Sequence, residues 1–170
     1  MSAKNIVGAV SYEPRLGDYG VVSTKGLIGF MIQLGTRSQD NHVIGYVGNG
    51  MIIEATPRKG IILSKLSEYD GFDIAWNKNE DLTDEQREII VTEAAKHLND
   101  PYNFIAIAVI ALRILGLHLP SRLTKKIAKM DAYICSEFWT EMYKKAGKAV
   151  SLKEDWAVTP SDMAYRLLFM

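Results

Sequence analysis

The sequence has a single cysteine, only three histidines, no excess of charge of either sign and no apolar run long enough to span a bilayer. One cysteine, Cys135, cannot form an internal disulfide, and three scattered histidines offer none of the paired-ligand spacings that structural zinc sites use. No metal and no cofactor is expected. Lys plus Arg (20) equals Asp plus Glu (20), so no overall field draws in a nucleic-acid backbone, and no nucleic-acid partner is expected. The longest apolar stretch, Phe104 to Leu119, is interrupted by Arg113, Gly116 and His118. It is also shorter than the roughly 20 residues a membrane-crossing helix needs, so a core helix or helix hairpin is expected in place of a transmembrane segment. Met1 to Val10 carries one lysine and no sustained apolar run before a polar stretch, which predicts no secretory signal peptide and a default cytoplasmic location.

What is present suffices for one domain over residues 1–170, since 48% of the chain is hydrophobic. Strand signals come before the polar cluster Asn77 to Asp81 and helix signals after it. Gly17 to Val22 reads as a turn entering a strand, and Leu27 to Leu34 as a short apolar segment, helical or extended. His42 to Val47 and Met51 to Thr56 are β-rich runs joined by Gly48-Asn49-Gly50, a strong hairpin signal. Gly60 to Leu63 and Phe72 to Trp76 read as further strands. Beyond the cluster, Thr83 and Gln86 have the form of a capping box, opening a helix that Asn99-Asp100-Pro101 stops. Helices are also expected over Phe104 to Leu115, Ser121 to Lys129, Ile134 to Ala146 with Gly147 as its stop, and Pro160 to Leu168 behind the N-cap Thr159. Strands followed by segregated helices imply an α+β fold with an antiparallel sheet packed against helices.

A lone cysteine is ordinarily inert packing. Cys135, however, follows a short extended run and opens a helix whose apolar face carries Phe138, Trp139, Met142, Tyr143 and Ala146. In a first turn, unpaired backbone N–H groups and the positive end of the helix dipole stabilise a thiolate, and the same N–H groups can receive an oxyanion. Glu137 brings an opposing negative charge into that turn. A thiol nucleophile also needs a base, generally an imidazole oriented by a third polar group. His97, near a helix end, and His118, between leucines, have adequate structural explanations. His42 opens a strand, and Glu54 lies within the apolar run of the partner strand, where a carboxylate is costly unless paired. The ordinary explanation of Glu54 is an edge-strand residue facing water.

Hairpin geometry decides between these. A two-residue Asn49-Gly50 loop puts position 45 opposite 54 and leaves His42 and Glu54 on opposite faces. A three-residue Gly48-Asn49-Gly50 loop, with Gly50 left-handed, puts 44 opposite 54 and makes His42 and Glu54 diagonal neighbours, at roughly 7 Å between Cβ atoms. The helix of Cys135 is then expected to pack on the sheet face that bears His42.

The run Asn41 to Gly50 continued through Ile53-Glu54-Ala55 resembles the histidine-bearing hairpin of the NlpC-type papain-like hydrolase superfamily. Its place before the cysteine is similar to the permuted members. Gly17-Asp18, Pro101-Tyr102, Tyr133-Ile134-Cys135-Ser136-Glu137 and Thr159 to Ala164 together look like the YiiX-like amidase branch, in consistent order from about Leu16 to Ala164. Two departures are Phe138-Trp139 where smaller aliphatics are expected, and Asn41 where serine is common. The resemblance implies a circularly permuted papain-like fold with a barrel-like sheet. It also implies Cys135 as nucleophile, His42 as base and Glu54 as third member, with Tyr102 and Asp18 as secondary, substrate-binding candidates. Ser136 is expected to be a helix-terminal hydrogen-bonding group and not a second nucleophile, and Lys125, Lys126 and Lys129 a solvated helix face.

The implied chemistry is acyl transfer from an amide or ester to the cysteine and then to water, as in a cysteine amidase or peptidase, with cell-wall peptides as one substrate class. A lipid-directed thioesterase, phospholipase or acyltransferase needs the same three residues. The contrasting expectation is a catalytically idle binding module in which His42 and Glu54 only satisfy each other. Reaching a cell wall from the cytoplasm would require delivery by a phage or by a secretion system without a cleaved signal.

Overall fold

The computed structural model describes residues 12–24, 41–57, 59–78, 81–103, 133–150 and 158–167, with the single positions 112, 116 and 120. The segment expected over Leu27 to Leu34, the helix expected over Ser121 to Lys129, His118 and, apart from Leu112, the helix expected over Phe104 to Leu115 lie outside the described residues.

Strands β1 (Tyr19–Val22), β2 (His42–Gly48), β3 (Met51–Thr56), β4 (Gly60–Lys65) and β5 (Ile74–Trp76) form one antiparallel sheet in the order β4-β3-β2-β1-β5. Among the described residues β4 and β5 stand at its two edges, so the sheet is open, and the closure implied by a barrel-like form is not reached. A 3-10 turn, Leu66–Tyr69, follows β4, and helices α1 (Asp84–Lys96), α2 (Cys135–Lys145) and α3 (Pro160–Leu167) complete an α+β arrangement.

The helices begin where side chains can satisfy their open N–H groups. Thr83 accepts from the backbone of Gln86 while Gln86 returns the bond to the backbone of Thr83, the reciprocal box read from the sequence. Thr159 and Asp162 do the same ahead of α3.

The β2–β3 register has Ile44 opposite Glu54, but not through the three-residue loop expected. Asn49 and Gly50, at φ 54° and 69°, make a two-residue turn of the kind whose twist matches the flanking strands. Tyr46 faces Ile52 and Gly48 faces Met51, so the extra residue is Val47, taken up as a bulge inside β2. The bulge shifts the ladder by one position and puts His42 and Glu54 on the same face.

That face carries Val22, Ile44 and Ile52, with Tyr46, Leu66, Tyr69, Ile74 and Trp76 packed against them. The opposite face, with Tyr19, Val21, Val43, Ile53, Ala55 and Ile61, holds the main core, shared with Ile90 and Ala94 of α1, Phe138, Trp139 and Met142 of α2, and Met163 of α3. Each such fully buried apolar side chain contributes about 1.5–3 kcal/mol. α2 therefore packs on the face opposite to His42, which corrects the expectation above. Trp139 lies flat against Gly45, where any Cβ would overlap its six-membered ring.

Candidate active site

Cys135 and His42 meet at one end of the sheet because each is the first residue of its element, α2 and β2. Asn41 fixes the entry to β2. Its side-chain oxygen accepts from the backbone and hydroxyl of Thr24 at 2.8 and 2.9 Å, and its amide donates to the Thr24 carbonyl at 2.8 Å. Asn41 thus anchors the strand bearing His42.

At the same end the chain leaving α1 joins the start of β4, where Ile61 N–H donates to the Asp100 carbonyl and Asn99 N–H to the Ile61 carbonyl, both at 2.9 Å. It then runs parallel to the segment entering α2. Tyr133 N–H donates to the Pro101 carbonyl at 3.2 Å, and Asn103 N–H to the Tyr133 carbonyl at 3.0 Å. Tyr102 is thereby buried close to Cys135, and burial, then the interaction with Cys135, push its phenol pKa up.

Glu54 is 6% exposed in its side chain and His42 12%, yet neither lacks partners. His42 Nε2 lies 2.8 Å from Glu54 Oε2, and the Tyr69 hydroxyl donates to the same oxygen at 2.7 Å. Ser64 on β4, buried on the same face, adds a favourable interaction with the carboxylate. Burial alone would raise the pKa of Glu54; the hydrogen bond and charge of His42, with Ser64 and Tyr69, outweigh it and hold the carboxyl below its usual range. An ionised carboxylate only accepts, so Nε2 of His42 is the donor. That leaves Nδ1 for Cys135, whose side chain interacts with the imidazole. Burial alone would lower the pKa of His42. The hydrogen bonds with Cys135 and Glu54 overcome it, and His42 is raised to about 9.

Cys135 is only 2% exposed and belongs to the main apolar core, with the imidazole of His42 as its titratable neighbour. Ile134 is extended, at φ −92° and ψ 161°, and the helix starts directly after it. Glu137 accepts the Ile134 N–H at 3.4 Å, which gives its charge a role at the helix start. Ser136 is fully buried and donates to the Val158 carbonyl at 2.6 Å, tying α2 to the chain before α3.

Asp18 is not brought to this cluster. It precedes β1 at the end away from the Val22–His42 pairing and is 0% exposed. Its oxygens take Arg87 at 2.8 Å, the Tyr12 hydroxyl at 2.6 Å and the Arg15 N–H at 2.8 Å. The substrate-binding role expected for Asp18 is corrected to that of a buried ion pair joining β1 to α1. His97 belongs to a surface cluster, 2.7 Å from Asp100.

Tyr69, Ser64 and the tie from Asn41 escape a sequence reading. The only signal was Ser64 sharing the alternation of Glu54 across β4. Among the described residues no group of three or more His, Cys, Asp or Glu could hold a metal ion, and no helix is long and apolar enough to cross a membrane. Comparison of the chain with protein-family models finds no match, and neither does comparison with curated proteins.

Proposed function

We propose that the chain is a cysteine hydrolase of amidase or peptidase type on a circularly permuted papain-like fold. The observation that carries this reading is the convergence of Cys135, His42 and Glu54 from three separate elements, with His42 bonded to Glu54 at 2.8 Å and interacting with Cys135. With the proton of the thiol held on Nδ1 of His42, the sulfur attacks the carbonyl carbon of the substrate. The oxyanion that forms is received by N–H groups in the first turn of α2. His42 then protonates the leaving amine, the C–N bond breaks, and the acyl group stays on Cys135. Water, deprotonated by His42, cleaves the thioester and restores the thiol. Glu54 holds the imidazole in the tautomer that can accept at Nδ1 and stabilises its charged form. Tyr102, beside the thiol, flanks the acyl group.

A lipid-directed thioesterase, phospholipase or acyltransferase is the second reading. It is favoured by the position of Asn103 and Tyr133, bonded to each other two residues from Cys135. These residues bound the segment holding the most apolar run of the sequence, Phe104 to Leu119. Short peptide amides compared with long-chain thioesters as acyl donors separate the two.

Labelling of the intact protein with a thiol-directed alkylating probe tests the reacting set. Wild-type protein should react faster at neutral pH than an unactivated thiol, Cys135→Ser should not react, and His42→Ala should slow sharply. Equal rates in wild type and His42→Ala would leave an idle binding module in which His42 and Glu54 only satisfy each other.

A further inference from the structure

A glutamate side chain has enough torsional freedom that one imidazole contact does not fix it, and on β3 the carboxylate of Glu54 needs a second restraint to present one oxygen to His42. Tyr69 supplies it from the 3-10 turn after β4. Its hydroxyl reaches the very oxygen that meets Nε2, at 2.7 Å against 2.8 Å for the imidazole. Its ring lies nearly parallel to the imidazole, with centroids 6.3 Å apart and planes 15° apart. Phe72 packs edge-on against the same ring, with centroids 5.6 Å apart, and backs it from the outer side.

We propose that Tyr69 is a positioning residue, acting on the reaction through Glu54 and His42: it fixes the carboxylate by its hydroxyl and the plane of the imidazole by its ring. This rests on reading Cys135, His42 and Glu54 as the reacting set. The direction of the bond is unambiguous, since an ionised carboxylate has no proton to give. Burial, and then the charge and hydrogen bond of Glu54, push the phenol pKa well up, so the hydroxyl remains a donor throughout the working range of an imidazole. Two donors on one oxygen leave the carboxylate little freedom to swing, and the thiol, Nδ1, Nε2 and Oε2 stay in line. The ring lies beside His42 in a nearly parallel plane and restricts its rotation away from Cys135. Ser64, one strand further on, adds a smaller favourable interaction with the carboxylate.

The test uses Tyr69→Phe, which keeps the ring and removes the hydroxyl, and Tyr69→Leu, which removes both. The carboxyl of Glu54 is titrated by carbon-13 NMR, assigned by comparison with Glu54→Gln, and the alkylation rate of Cys135 is followed against pH. In Tyr69→Phe the Glu54 midpoint should rise by about one pH unit, because a donor that favours the ionised form is gone. Alkylation at neutral pH should slow about tenfold, the loss of one hydrogen bond to a charged group. Tyr69→Leu should be slower still. An unchanged Glu54 titration with an unchanged rate in Tyr69→Phe, whatever happens to the melting temperature, would make Tyr69 a packing residue and overturn the proposal. If wild-type Cys135 reacts no faster than an ordinary thiol, the hydrolase reading falls on its own. The Glu54 titration in Tyr69→Phe then still decides whether Tyr69 holds the carboxylate.

Discussion

Asp18 and Glu54 are both carboxylates removed from water, and their company is similar. Each accepts a tyrosine hydroxyl, Tyr12 at 2.6 Å and Tyr69 at 2.7 Å, and each lies 2.8 Å from a nitrogen base, Arg87 and His42. The difference lies in the base. A guanidinium does not give up its proton in a protein, so Asp18 and Arg87 form a pair of fixed charges that fastens β1 to α1. An imidazole does give it up, and His42 has a thiol on its other side. A buried carboxylate in an apolar strand therefore announces a partner, and the partner's chemistry decides whether the pair braces the fold or moves a proton.

The comparison breaks most visibly if the fixed pair is cut. Arg87→Met leaves Asp18 buried without its cation and should cost about 3–5 kcal/mol in urea unfolding. The protein that remains folded should still alkylate at Cys135 at the wild-type rate. A loss of thiol reactivity at full stability would place Asp18 and Arg87 in the chemistry after all.

Cutting the proton-moving pair should show the converse. Glu54→Gln keeps the shape and most of the contacts of the side chain but loses the charge that favours imidazolium. Turnover of an amide or ester substrate should fall by about one to three orders of magnitude, or about 1.4 to 4 kcal/mol in the barrier, with little change in melting temperature. Unaltered turnover with clear destabilisation would assign Glu54 to the sheet.

The smallest effect sharpens the contrast through pH. Burial works against a charged His42, but its hydrogen bonds to Cys135 and Glu54 win and raise it from the ordinary 6.5 to about 9. A pKa higher in the folded state means that protonation favours folding. That contribution is complete below about pH 6.5 and is lost as pH rises through about 9. Unfolding free energies measured across this window should fall with pH in the wild type and should slope less in His42→Ala. Identical slopes in the two proteins would mean that the proton on His42 is not held by the fold.

Much of this was legible in the chain because the determining forces are local. The capping pairs Thr83 with Gln86 and Thr159 with Asp162 lie three residues apart, and α1 and α3 begin where those pairs put them. The carboxylate inside Met51 to Ala55 could be flagged from its neighbours alone, since only a partner compensates its burial. The hairpin was legible in register but not in device. Asn49-Gly50 chooses its own turn, whereas whether Val47 bulges depends on which residues the sheet must bury on each face.

The sequence by itself determined the α+β order of elements, the helix start at Cys135 and the requirement that Glu54 find a partner, because propensity, capping and desolvation act over a few residues. Only the tertiary structure decided that α2 lies on the face away from His42, with Trp139 seated on Gly45, and that thiol and imidazole meet at the sheet's end. It also decided that Asp18 belongs to Arg87 and that Tyr69 reaches Glu54. These pairings join residues far apart in the chain, or on either side of a β-turn and a 3-10 turn. No local rule fixes them, because the free energy that selects them comes from packing the two faces of one sheet at the same time.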